Sequence, residues 1–173
     1  VLISDGATGT YLQSNGLEPG GSPEEMNVSA PDTIKGMAAA YFDAGSDMVL
    51  TNSFGGSLFM LKKYGHGDRV QEFNRLAAEH ARSQAGDQRF VVGSVGPTGV
   101  FMEPIGPLSE SEMYDGFAEQ ISALAEGGAD AVVIETMISA EEAVLALGRA
   151  AIEGLENARL PTAEWPAPPP PAG

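Results

Sequence analysis

The sequence has no cysteine, so this chain can build neither a disulfide scaffold nor a thiolate-ligated zinc site from its own residues. It is also poor in bases. Nine Lys and Arg stand against 24 Asp and Glu, giving a formal net charge of −15 and a pI near 4.3. Such a surface repels phosphate backbones and anionic lipids, which argues against nucleic-acid binding and membrane-surface docking. No apolar run approaches the roughly 18 residues of a membrane span, and no charged-then-apolar leader opens the chain. A cytoplasmic location is the expectation. There are only two histidines. His66, in Tyr64-Gly65-His66-Gly67, reads as part of a surface turn, and His80 falls in a helical pattern. With no ligand spacing between them, both are expected to be solvated.

What the chain does have is a repeating apolar pattern. Its 173 residues, 43% of them hydrophobic, suffice for one ordinary domain. Four short runs stand out: Val1-Leu2-Ile3, Met48-Val49-Leu50, Phe90-Val91-Val92 and Ala131-Val132-Val133-Ile134. None alternates apolar with polar residues, so each is expected to be a strand buried on both faces, as in a parallel sheet. Their starts lie roughly 40–47 residues apart, with a helical pattern in every gap. This is βα repetition, and it predicts an α/β fold with right-handed crossovers.

Helix signals fill the gaps. Pro31 and Asp32 mark a start and Ala44-Gly45 a stop. A weaker stripe of Val70, Phe73, Leu76, Ala77 and Ala81 runs between Gly67 and Gly86. Ser109 with Glu112, and Ser139 with Glu142, have capping-box spacing ahead of apolar faces. Ala44-Gly45-Ser46-Asp47 and Gly127-Gly128-Ala129-Asp130 echo each other as helix stop, small residue and aspartate before a strand. Past Ile152 the composition shifts to Leu160-Pro161, Trp165-Pro166 and the run Pro168–Pro171, which excludes a central strand. Residues 1–152 are therefore expected to fold, and 153–173 to form a proline-rich, disordered tail. The opening on Val1 rather than Met carries the expectation of a longer reading frame.

In parallel α/β architectures ligands bind beyond the carboxyl ends of the strands. Past the four runs stand Asp5-Gly6-Ala7-Thr8-Gly9-Thr10, Thr51-Asn52-Ser53-Phe54-Gly55-Gly56, Gly93-Ser94-Val95-Gly96-Pro97-Thr98-Gly99 and Glu135-Thr136-Met137. Asp5 and Glu135 closely follow buried strands, where an unpartnered carboxylate is costly. Such a pair suits a substrate ammonium, a metal or a shared proton. The plainer alternatives are a turn-forming aspartate and a glutamate paired with a lysine from a nearby loop. The glycine-rich turns also raise phosphate binding, although the first has neither Walker nor G-x-G-x-x-G spacing. An unrelated phosphate-handling α/β protein using Gly6–Gly9 and Gly96–Gly99 stays open as an alternative.

Five ordered motifs carry a more specific likeness. Asp5-Gly6-Ala7-Thr8-Gly9-Thr10, Pro23-Glu24-Glu25-Met26-Asn27, Ala44 through Phe54, Gly96-Pro97-Thr98-Gly99 and Glu135-Thr136 resemble the homocysteine S-methyltransferase family. Within it they look like the homocysteine-binding barrel of cobalamin-dependent methionine synthase and related corrinoid methyltransferases. The likeness covers about residues 1–150. It implies a partial (β/α)8 TIM barrel of about four βα units, roughly half of the about 250 residues a complete barrel takes. It also implies methyl transfer to homocysteine or a similar thiol, in methionine synthesis or corrinoid-linked one-carbon metabolism.

By the same resemblance, Asp5 and Glu135 would hold the substrate ammonium. Thr51, Asn52 and Ser53 would line the pocket floor beside the thiol, and Gly6, Ala7 and Thr8 would offer backbone contacts to the carboxylate. The methyl donor implied is a methyl-corrinoid, carried by a corrinoid protein, or methyltetrahydrofolate. The family's zinc is held by three cysteines, which are absent here. The expectation is thus half a pocket with no metal site and no catalytic residue of its own. Such a chain is a truncated or frameshifted member, or an accessory half-barrel completed by a partner, and self-association through open sheet edges is expected of it.

Overall fold

The structure, a computed structural model, describes residues 1–152, with side chains through Gly148. The expected proline-rich tail lies outside the described residues. Three strands, β1 Met48–Leu50, β2 Phe90–Val95 and β3 Ala131–Ile134, form a parallel sheet in that order. Val49 faces Val91 across the first ladder, and Ser94 faces Val133 across the second. Before β1 come α1 Thr8–Ser14, a 3₁₀ turn Pro23–Glu25, α2 Met26–Ser29 and α3 Pro31–Asp43. Helices α4 Leu58–Lys63 and α5 Val70–Ala85 join β1 to β2; α6 Glu110–Glu126 joins β2 to β3; α7 Ala140–Ile152 follows.

Local chemistry sets the helix ends. Pro31 occupies the first turn of α3 with Asp32 beside it, and Gly45 leaves the helix in the left-handed region at φ 104°. The Ser109–Glu112 capping box forms in full at α6. At α7 only half of the expected box exists: Ser139 Oγ accepts the Glu142 N–H, but the Glu142 carboxylate goes elsewhere. It is 2% exposed and accepts the Thr98 N–H at 2.8 Å, the Thr98 hydroxyl at 2.7 Å and the Ile138 N–H at 3.2 Å. Glu142 therefore pins the loop after β2 to the start of α7.

Helix α5 packs between α3 and α6, and α6 packs against α7, so the helices stand side by side along the sheet. Phe117, Ile121 and Leu124 of α6 are fully buried with Val95 of β2, each contributing roughly 1.5–3 kcal/mol. On the other flank, Ala38 and Phe42 of α3 pack with Ala81 and Ala85 of α5 over Val49 and Val91. No helix among the described residues is long and apolar enough to cross a membrane.

The expected strand Val1–Ile3 does not form. Ile3 lies beside the start of β1, where its carbonyl accepts the Asp47 N–H at 2.8 Å and the Met48 N–H at 3.2 Å. Aspartate side chains intercept the rest of the ladder: the Ile3 N–H goes to Asp47 Oδ2 and the Leu50 N–H to Asp5 Oδ2, both at 2.8 Å. Among the described residues the sheet accordingly has three strands rather than four. Burial on both faces holds for the interior of β2; β3, with one ladder neighbour among the described residues, is half-buried throughout.

Both histidines depart from expectation. His80 is 8% exposed, and its Nε2 lies 2.8 Å from the Asn27 carbonyl oxygen. It follows Phe73 and Ala77 on the buried face of α5 at helical spacing. His66 is partly covered, tilted against the Phe73 ring at 5.2 Å.

Candidate functional site

Where β1, β2 and β3 end, a cleft of about 310 Å³ opens. Gly6, Thr8 and Gly9 line one part of it, Pro23 and Glu24 another, and Leu50 through Phe54 follow β1. Ser94 and Glu135 complete the wall. Neither Lys nor Arg takes part in this lining.

The floor is a closed hydrogen-bond circuit. The Ser94 N–H donates to Thr51 Oγ1 at 3.0 Å, Thr51 Oγ1 and Ser53 Oγ are 2.6 Å apart, and the Ser53 hydroxyl donates to the Ser94 carbonyl at 2.7 Å. With the Ser53 proton committed to that carbonyl, the Thr51 hydroxyl donates to Ser53 Oγ. Asn52 Nδ2 donates to the Pro23 carbonyl at 2.7 Å and to Asn27 Oδ1 at 3.1 Å, while Asn27 Nδ2 returns a bond to the Asn52 carbonyl at 2.9 Å. Thr51, Asn52 and Ser53 are all buried. Their donors are spent on shaping the cleft, so they act as its rigid floor.

The rim has its own geometry. Phe54, 41% exposed, lays its ring on Gly96, whose N–H donates to the Phe54 carbonyl at 3.1 Å. A Cβ at Gly96 would fall 2.7 Å from both that ring and that carbonyl, so the close approach requires glycine.

The two acids singled out by the sequence come from opposite edges of the sheet, Asp5 bonded to β1 and Glu135 following β3, and the charge of Glu135 reaches Asp5. Asp5 is not among the lining residues; besides Leu50 N–H it accepts the Ser4 hydroxyl at 3.1 Å. Burial pushes its carboxyl above the ordinary aspartate value; the hydrogen bonds from Leu50 and Ser4 oppose this, and the charge of Glu135 adds to it. Tyr41 is also held above its usual value, by burial and then by the charge of Asp5. Glu135 Oε1 accepts the Ser94 hydroxyl at 2.6 Å. Of the residues expected to offer backbone contacts, Gly6 and Thr8 line the cleft and Ala7 does not; the Ala7 carbonyl accepts the Tyr41 hydroxyl at 2.9 Å.

Glu24 is the residue the sequence reading passed over as a site residue. It is 3% exposed, lines the cleft and reaches across to Gly55, whose N–H donates to Oε1 at 2.7 Å. Its place in the Pro23–Asn27 motif was the available signal; its burial depends on a partner 31 positions on.

The fold matches that of the homocysteine methyltransferase MmuM from Escherichia coli. Against the oxidized form the TM-score is 0.76 at 22% identity, covering 90% of this chain and 59% of that one. Against the apo form it is 0.62 at 24% identity, covering 87% and 57%. Two methionine synthases, from Mycobacterium tuberculosis and Mycobacterium leprae, are each 34% identical over 167 residues. Those alignments take in 87% of this chain but only 14% of either relative, so the chain corresponds to a small part of those proteins. The homocysteine S-methyltransferase family profile matches residues 2–163, nearly the whole sequence, and the chain accordingly belongs to the homocysteine S-methyltransferase family.

Proposed function

We propose that the cleft binds the amino-acid end of homocysteine, or of a closely similar thiol, and orients it for methyl transfer to sulfur. The pairing of Asp5 with Glu135 carries this reading. Glu135 lines a cleft whose lining holds no Lys or Arg, and its charge adds to the burial that raises the Asp5 carboxyl. An ammonium group beside Glu135 would offset its charge and relieve the repulsion it exerts on the buried Asp5. The ligand carboxylate is assigned to the backbone at Gly6 and Thr8, which line the cleft. A phosphate ligand fits this charge pattern poorly, because Glu24 and Glu135 would repel it.

The same charges do not suit sulfur chemistry. A thiol with an ordinary pKa of about 8.5 is mostly protonated at neutral pH, and nearby carboxylates push it higher. Thiolate-held zinc would answer that need, but the donors of this chain do not fit it. The sequence has no cysteine, and the described residues hold no cluster of three His, Cys, Asp or Glu placed to take a metal. The role assigned to these residues is therefore binding and orientation. A methyl-corrinoid or methyltetrahydrofolate donor, and a corrinoid protein partner, belong to the proposal through the likeness to methionine synthases alone.

Titration calorimetry of the full chain with L-homocysteine tests the reading. Saturable binding is expected, weakened about tenfold or more in Asp5→Asn and in Glu135→Gln, the scale of a lost charge-assisted hydrogen bond. Binding of inorganic phosphate in preference to homocysteine, or indifference to both substitutions, would overturn it.

A further inference from the structure

Glu24 is a buried carboxylate with no cation beside it. Gly55 N–H donates to Oε1 at 2.7 Å and the Ser22 hydroxyl to Oε2 at 3.0 Å. None of the ion pairs among the described residues includes it. Holding an ionised group out of water on neutral donors is expensive. A neutral amide at this position would serve the local structure equally well. Its oxygen would accept the Gly55 N–H, and its NH2 would donate to a Ser22 hydroxyl turned to accept. Local hydrogen bonding therefore accounts for the shape of Glu24 but not for its charge.

The cleft accounts for the charge. Glu24 lines it together with Glu135, and no Lys or Arg of the lining offsets them. In a partly dehydrated hollow a fixed negative charge favours a cationic ligand group across several ångströms without touching it. We propose that Glu24 is a specificity-determining residue of this cleft: its charge selects a ligand bearing an ammonium group, while its hydrogen bond to Gly55 fixes the turn that carries Phe54. This rests on the reading of the cleft as an amino-acid site and adds to it a third acid, acting at a distance.

The test uses the full chain, with L-homocysteine and its des-amino analogue 4-sulfanylbutanoate as paired ligands in calorimetry. Because the analogue lacks only the ammonium group, the ratio of the two affinities reports the electrostatic preference and is insensitive to general damage. Glu24→Gln is expected to lower that ratio about tenfold, the effect of one charge over roughly 10 Å at the effective dielectric of a protein. Glu24→Asp, which keeps the charge on a shorter stem, should weaken both ligands yet restore most of the ratio. Circular dichroism establishes that each variant is folded, and Glu24→Asp keeps the test decisive if Glu24→Gln is not. An unchanged ratio in Glu24→Gln, or a ratio lost in Glu24→Asp, overturns the assignment while the amino-acid reading stands. Failure of the unmodified chain to bind homocysteine overturns both.

Discussion

The Ser94 hydroxyl donates to Glu135 Oε1 at 2.6 Å, from the strand whose Ser94 is in register with Val133. The bond crosses the β2–β3 ladder and aims the carboxylate at the cleft. The next residue, Thr136, has φ 58°, the left-handed region that a β-branched residue rarely occupies. Its side chain is exposed, so packing offers no local compensation. The strain is held where the chain turns away behind Glu135. Asparagine tolerates this backbone, so Thr136→Asn is expected to raise the unfolding free energy by about 1 kcal/mol in urea denaturation. Equal or lower stability would mean that the turn stores no strain.

Asp5 makes stability depend on pH with a definite sign. Its carboxyl is raised in the folded protein, chiefly by burial, so the folded state holds the proton more tightly than the unfolded chain does. The corresponding stability is fully present below the ordinary aspartate range and is lost as pH rises through the elevated native value. Asp5→Asn removes that loss. Relative to the unmodified protein the variant should gain stability as pH climbs from acid to neutral, in unfolding curves recorded across that range. Homocysteine affinity should move the opposite way in the unmodified protein, since an ammonium prefers the ionised carboxylate. Parallel stability curves for the two proteins would count against the buried-charge account.

Much of this architecture is written locally, and the failures have a common cause. The α6 capping box involves residues three apart, and the α3 boundaries need only Pro31 and Gly45, so both can be read from short stretches. The strand expected at Val1–Ile3 fails because Asp47 and Asp5 take amides that a ladder would have used, a competition decided across 44 and 45 positions. Glu142 has the right spacing for a capping box, yet Thr98, 44 residues away, claims its carboxylate. At the cleft, Asp5 and Glu135 were legible as acids placed after apolar runs. Glu24 was not, since only the folded chain brings Gly55 against it. Period gave the helices, but the partners of buried polar atoms are set by distant segments.

Two glycines near the cleft should respond to alanine with opposite signs. At Gly56 an added Cβ would fall 2.2 Å from Asn74 Oδ1, 2.9 Å from Gln120 Nε2 and 2.9 Å from the Ser53 carbonyl oxygen. Those groups cannot all yield. Asn74 Nδ2 is tied to the Gly56 carbonyl at 2.8 Å and Gln120 Nε2 to the Ser53 carbonyl at 2.8 Å, and both side chains are fully buried. Displacing them would combine overpacking with broken buried hydrogen bonds, so Gly56→Ala is expected to cost about 3 kcal/mol. Gly9 differs in every respect: it lies within α1, is exposed, and an added Cβ there meets nothing within 4 Å. Alanine is the better helix former, so Gly9→Ala should stabilise by roughly 0.5–1 kcal/mol. Chemical denaturation of both variants is the measurement. A tolerated Gly56→Ala would show that the Asn74–Gln120 contacts are loose, and a destabilised Gly9→Ala would show that the first turn of α1 is not open helix.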